Sequence, residues 1–398
     1  MRLLSGLFVI AFALACDVPS SSLQGSFGKV SRDELPTGLD ASVSCQPAPP
    51  TNVVDVPGGR GARVAFVADA LAVAAVTDAG VQVQLVTPGG GGVLRSFHRP
   101  AANLALGTSG GVLGVAWDSA TTNASVEFAV VDSRSGVASA VSRLSPELGR
   151  SQEPVTASQP RVAASPTGFF VVWDDGRYAE PRGSGNLFGW RGLYGHAVDL
   201  LGEPRGADVQ VVQTSGGSRF FDVAWAGSEW FTLWTRDDMP FSVSGRFSGQ
   251  GYTPSREPTP FAVVSERSAA GVIRLAAGAD GRVLAAIPFA SPTGSPRVGT
   301  IVASRTGATP FTPWPETESA IWALAAVPGG FLAATATSLW QLDADGQRVR
   351  SQPLDFTAAG AGVVGDVSLE VVGKRVRLLF TLETQGGVSV WSTVACLP

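Results

Sequence analysis

The decamer GFFVVWDDGR, residues 168–177, runs from a glycine through five apolar or aromatic residues into two adjacent aspartates. An unbroken apolar run of this length fits a strand buried on both faces rather than one half-exposed to water. The same shape returns along the chain as GGVLGVAWDS (110–119), GSEWFTLWTRDD (227–238), DGRVLAAIPF (280–289), GGFLAATATS (329–338) and GKRVRLLFTLE (373–383), with DALAVAAVTD (69–78) as a weaker first member. Each run follows a shorter apolar segment ending at a turn. Those seven segments, among them RVAFVA, RVAASP, FFDVAWA and VIRLAAGA, begin near 63, 103, 161, 220, 272, 320 and 367.

Alternating segments such as VEFAVVD, LYGHAVD and WQLDAD come next in each unit, then a last one such as DVQVVQ or FAVVS. Pairs such as Asp280-Gly281 and Gly329-Gly330 supply hairpin turns between them. Four short strands per unit, recurring every 40 to 60 residues or so with little helix signal, predict an all-β fold: a single β-propeller of about seven four-stranded blades. On that reading the second strand of each blade is sandwiched between neighbouring blades. The first lines a crowded channel, which suits its alanines and glycines.

The last unit ends in GGVSVWSTVACLP, which supplies a third strand but no fourth. A strand from ASVSCQP or TNVVDV near the other end would close the ring by pairing the N- and C-terminal segments, and would bring Cys45 beside Cys396. A disulfide there would shut a loop of about 350 residues, worth on the order of 4 to 5 kcal/mol in a chain-entropy account. Two free buried cysteines are the other reading of the pair.

The segment QPRVAASPTGFFVVWDDGR…LYGHAVDLLGEP (159–204) resembles repeats of uncharacterised secreted and surface-attached bacterial propeller proteins. Trp117, Trp173 and Trp234 hold one place in three successive runs, and later units replace them. The resemblance implies the fold more than any activity.

The chain starts MRLLSGLFVIAFALAC, one arginine followed by an apolar run ending in small residues. This is the layout of a signal peptide over 1–15. Ala13-Leu14-Ala15-Cys16 resembles the lipobox of bacterial lipoproteins, which implies acylation at Cys16. Only Cys16, Cys45 and Cys396 exist, so acylating the first leaves an even pair for an oxidising compartment. Residues 16–44 then read as lipidated cysteine and flexible tether, and 45–398 as the propeller domain. The expected place is the cell envelope, held to a membrane by lipid, with plain secretion as the alternative. With 29 basic and 33 acidic residues and no basic block, nucleic acid is not an expected partner.

Adjacent strand residues point to opposite faces, so Asp174 and Asp175 do not converge on one substrate while the strand persists. A working carboxylate pair would join one of them to Asp237 or Asp238 of the next unit. In propellers generally, the loop after the second strand lies on the ligand-binding face. In this unit the loop spans 174–192 and carries Arg177, Tyr178, Arg182, Trp190 and Arg191; Arg236 sits beside the second aspartate pair. Arginines among aromatics suit a carboxylated or carbohydrate ligand, or a protein surface. They suit equally well a solvated rim of local ion pairs.

Other motifs carry less. Ser109 in GTSGG matches G-x-S-x-G, but sits between two strands where a nucleophile elbow needs a strand and a helix. His98 and His196 lie in different units, and two histidines with a bridged cysteine pair compose no zinc site. DADG (343–346) lacks the later ligands of a calcium loop. No phosphate loop occurs, and no cofactor or metal is expected. The favoured function is a non-catalytic propeller presenting its face to a polysaccharide, peptide or protein. The alternative is a glycoside hydrolase or lyase using carboxylates on that face.

Overall fold

In a computed structural model, the residues described are 45–87, 92–121, 124–146, 156–178, 190–214, 220–236, 242–248, 259–263, 267–268, 272–290, 296–315, 320–356 and 359–397. Cys16 and the whole of 1–44, like Arg182, Asp237 and Asp238, lie outside them.

The chain is an all-β β-propeller. Six antiparallel sheets are built from strands consecutive in the chain, spanning 60–97, 101–143, 157–214, 221–263, 267–313 and 321–353. A further sheet is composite: Val363–Val372, Arg375–Thr384 and Gly387–Cys396 run in order, and Ala48–Pro57 adds to its outer edge. Val54, Asp55 and Val56 pair there with Val390, Ser389 and Val388. Cys45 and Cys396 are bridged, with Cα atoms 5.7 Å apart. The sheet at 267–313 departs from four strands: Arg267–Ser268 and Arg274–Ala277 share one partner strand, and two short outer pieces share another.

The first strand of each sheet is innermost. These strands, Arg60–Val67, Ala101–Ser109, Ala157–Ser165, Phe221–Trp225, Arg274–Ala277, Ile321–Val327 and Val363–Val372, pack one on the next around an axis, and the first also packs on the last. The second strands are buried on both faces, as unbroken apolar runs require: all of Ala70–Val76 is buried, as are Phe169–Trp173. Trp117, Trp173 and Trp234 are fully buried in the layers between sheets. Neighbouring sheets come so close that a Cβ on Gly114 would sit 2.8 Å from Phe169 of the next sheet and 2.9 Å from Phe128.

Five inner strands enter through a β-bulge, marked by register shifts at Arg60/Arg63, Ala101/Leu104, Ser158/Arg161, Ile321/Ala323 and Val364/Val367. Gly61 at φ +55° and Gln159 at φ +56° occupy the left-handed region two residues before Arg63 and Arg161. Glycine takes that conformation freely. Gln159 does not, and its amide is held by Asp118 Oδ2 at 2.8 Å. A bulge bends the strand and re-aims the following side chain.

Reducing the disulfide, or Cys396→Ser, is expected to lower the unfolding free energy by about 2 to 5 kcal/mol. The urea midpoint with and without reductant measures this. An unchanged midpoint would mean that pairing of Ala48–Pro57 holds without the covalent clamp.

Candidate functional site

Near its start each inner strand carries one polar or aromatic side chain, at or beside the register shift in the five strands that have one: Arg63, Asn103, Arg161, Asp222, Arg274, Trp322 and Asp366. All but Asn103 line one cavity of about 420 Å³ on the axis. An adjoining cavity of about 310 Å³ shares Arg274, Trp322 and Asp366 with it and extends over Pro288, Pro296 and Val298. Both volumes fall in the range of small-ligand sites.

The ring lies at the beginning of the inner strands. In an antiparallel pair the end of the second strand lies beside the start of the first, as Asp175 does beside Ala157. The loop 174–192 therefore leaves the sheet on the same face as the ring mouth.

The two carboxylates of the ring are already committed. Asp366 Oδ2 accepts the Val64 amide at 3.1 Å, and its Oδ1 lies 3.3 Å from Arg274 Nη2. Asp222 accepts its neighbour Val223 N at 2.9 Å and Leu275 N of the next inner strand at 3.1 Å. Burial pushes the Asp222 carboxyl above its ordinary range, against the pull of Arg161 and Arg274. Asn103 is pinned from behind, its amide and side-chain nitrogen both donating to the buried Asp118, at 2.7 and 2.8 Å.

The arginines are less satisfied. Arg161 Nη1 donates to the Pro160 carbonyl at 3.0 Å, while its buried Nε has no hydrogen-bond partner among the described residues. Arg63 Nη1 reaches the Ala62 carbonyl at 3.2 Å. Among the described residues, neither has a carboxylate within ion-pair distance. Burial pushes the Arg161 guanidinium down to about 10; Asp222 holds it up, while Arg274 and Arg63 press it lower. It remains cationic at neutral pH, so the mouth holds three guanidiniums against two carboxylates.

The residues expected from the sequence are placed differently. Asp175 is 0% exposed and accepts Trp173 Nε1 at 2.8 Å, the Arg177 amide at 2.8 Å and the Arg177 guanidinium at 2.7 and 3.0 Å. Arg177 also pairs with Asp208 and lies over the Tyr194 ring, 3.6 Å from its centroid. Burial opposes the Arg177 charge, but Asp175 and Asp208 outweigh it and hold the guanidinium above its ordinary value. Asp175 is therefore neither half of an exposed dyad nor the wet end of a strand. A register shift interrupts the pairing between Asp175 and Tyr178, within the strand Gly168–Tyr178. Asp174 pairs across to Ser158 and Leu193 in register. Tyr178, Trp190 and Arg191 belong to strands flanking the loop, with Tyr178 opposite Trp190, and Arg236 ends the strand Trp230–Arg236 opposite Ser242.

Three lesser motifs resolve as structure. Ser109 Oγ donates to the Ser165 carbonyl at 2.6 Å, joining neighbouring sheets. Asp343 accepts the Asp345 and Gln347 amides at 2.9 and 2.8 Å, as a turn does. His196 is buried, and burial lowers its pKa. Among the described residues, no three His, Cys, Asp or Glu side chains are grouped to hold a metal ion.

The ring itself escaped the sequence reading, which gave the first strands alanine and glycine linings. Its signal stood in the same alignment: RVA, NLA, RVA, DVA, RLA, WAL and DVS, from 63, 103, 161, 222, 274, 322 and 366, place a polar or aromatic residue within two positions of the start of each segment.

No protein-family model matches the chain, and no curated protein sequence is similar to it. Solved structures are similar in fold. A polysaccharide lyase, Uly1, superposes with TM-score 0.52 at 7% identity, over 84% of this chain and 90% of that one. A prolyl endopeptidase superposes with TM-score 0.50 at 15% identity, over 85% of this chain and 48% of that one. The β-propeller domain of the trilobed protease from Pyrococcus furiosus, of open velcro topology, gives 0.49 at 10%, over 86% and 98%. At these identities the likeness concerns the fold alone.

Asp175→Ala leaves a largely buried guanidinium and an indole N–H without their shared acceptor. The expected cost is about 3 to 5 kcal/mol of stability, as for breaking a buried ion pair from one side. Urea unfolding measures it. Full stability with lost ligand binding would return Asp175 to the recognition surface.

Proposed function

We propose that the protein is exported, acylated on Cys16 and tethered through residues 16–44. Its propeller, counted as seven blades with the composite sheet closing the ring, is a non-catalytic module presenting the channel-mouth face to a polysaccharide, peptide or protein of the cell envelope. One observation carries this reading: an open cavity ringed by charge, on the face from which the 174–192 loop leaves, whose carboxylates are engaged by backbone amides while two arginines have none to pair with. Asp222 is held by two backbone amides and Asp366 by one amide and Arg274, so both carboxylates already serve to join inner strands. Arginine binds and orients without titrating near neutral pH.

The enzymatic reading keeps one supporting observation. Asp222, its carboxyl pushed up by burial, stands in the same ring as Asp366. An acid and a charged carboxylate flanking one cavity is an arrangement that cleaves glycosidic bonds. The fold is also that of a polysaccharide lyase, a likeness of scaffold rather than of site.

Screening the purified full chain on glycan and peptide arrays, alongside prolonged incubation with the glycans bound, separates the readings. Capture without new reducing or unsaturated ends is the expected result, weakened by deletion of 179–189. Cleavage abolished by Asp222→Asn would replace binding with catalysis. Tritiated palmitate is expected to label the wild type and not Cys16→Ser; equal labelling would remove the anchor.

A further inference from the structure

The ring is not evenly charged. In order it reads Arg63, Asn103, Arg161, Asp222, Arg274, Trp322, Asp366. Arg274 has Asp366 at 3.3 Å and Asp222 close enough to feel its charge. Arg63 and Arg161 flank Asn103, whose side-chain nitrogen is already given to Asp118. On that side two guanidiniums meet across a neutral residue, and one holds a buried Nε–H with no acceptor among the described residues.

Resting on the reading of this face as a ligand site, we propose that its ligand carries a carboxylated sugar. Its carboxylate is seated between Arg63 and Arg161, and the adjoining sugar lies in the side cavity against Trp322.

Charge selects a carboxylate. Three arginines against two aspartates leave one net positive charge at the mouth, which matches a monoanion better than a phosphate dianion. The planar guanidinium fork matches carboxylate geometry. The surroundings select a sugar over a peptide. A peptide terminus needs backbone donors, and the amides of Val64, Val223 and Leu275 are already given to Asp366 and Asp222. The side cavity offers a half-buried indole and the rings of Pro288 and Pro296, flat apolar surfaces of the kind on which a pyranose face stacks. Because the cavities share Trp322, Arg274 and Asp366, one short oligosaccharide spans both.

A pH signature follows. Asp222 faces Arg161 and Arg274 on the flanking inner strands, with Arg63 and Asp366 in the same cavity. Its raised carboxyl takes up a proton before an ordinary aspartate does as pH falls. That removes a negative charge beside the anion site, so affinity rises with falling pH until the sugar's own carboxyl protonates.

Titration calorimetry of the full chain with galacturonosyl-galactose, which carries one carboxylate, its methyl ester, neutral galactobiose and glucose 1-phosphate tests this. The acid is expected to bind at least about tenfold more tightly than ester or neutral sugar, the scale of one charge-assisted contact. Arg161→Gln, which keeps side-chain bulk, is expected to remove that margin. Trp322→Ala is expected to weaken galacturonosyl-galactose while sparing monomeric galacturonate. Equal binding of acid and ester, or tighter binding of the phosphate, overturns the proposal. If the acid fails here while other glycans or peptides are captured on the arrays, this inference falls and the reading of the face stands; no capture of any class removes both.

Discussion

The innermost strand of a propeller sheet is an edge. It pairs with its own second strand and turns its other row of backbone groups toward the next sheet, across a gap that twist keeps from becoming a ladder. Buried amides cannot be left unpaired without loss, and in this chain carboxylates fill the role. Asp118 takes the amide of Gln159, Asp222 that of Leu275, and Asp366 that of Val64. Each reaches from one sheet to the inner strand of the next. The last of these joins the two ends of the chain, 302 residues apart, near the axis, while the disulfide joins them at the outer edge.

Placing acids there has an electrostatic consequence. A carboxylate in a narrow channel is stable when cations compensate it, and Arg161 and Arg274 do so for Asp222. The compensation overshoots, because Asp118 lies behind Asn103, holding the bulge rather than facing the axis. The link between the sheets of Asn103 and Arg161 thus adds no negative charge to the ring. The surplus of positive charge gathers at that position. The anion site is a by-product of how neighbouring inner strands are joined.

The repeat was legible because packing dictates it. A strand buried on both faces must be apolar throughout, and Ala70–Val76 and Phe169–Trp173 show that pressure directly. The edge strand at Ala48–Pro57 was legible from the missing fourth strand of the last unit, and the Cys45–Cys396 bridge from that same pairing, which sets the two cysteines side by side. The fate of Asp175 was not. Local pairing of Arg177 with a nearby aspartate was among the readings the sequence offered, but at a solvated rim; that Asp175 would be buried, with Trp173 as a further donor, left no mark in it. The ring was hidden for another reason. Each of its members is a single polar or aromatic residue heading a mostly apolar run, and the register shifts beside five of them leave a glycine in the left-handed region only at Gly61.

Repeats that must stack are constrained where they touch and free where they do not. Arg63, Arg161, Asp222, Arg274, Trp322 and Asp366 each stand near the start of an inner strand, yet no two neighbours in that series are the same residue except across Asn103. The segments behind them stay mostly apolar, because many of those side chains meet the adjacent sheet. A ring fold built of similar units acquires a directional site only by letting such an axial position diverge. With like residues all round, the same cavity would present one symmetric field and hold no extended ligand in a single orientation. The opposition of an arginine pair at Asn103 to an indole at Trp322 breaks that symmetry along one diameter, and gives a ligand with a charged end and an apolar face one way to lie.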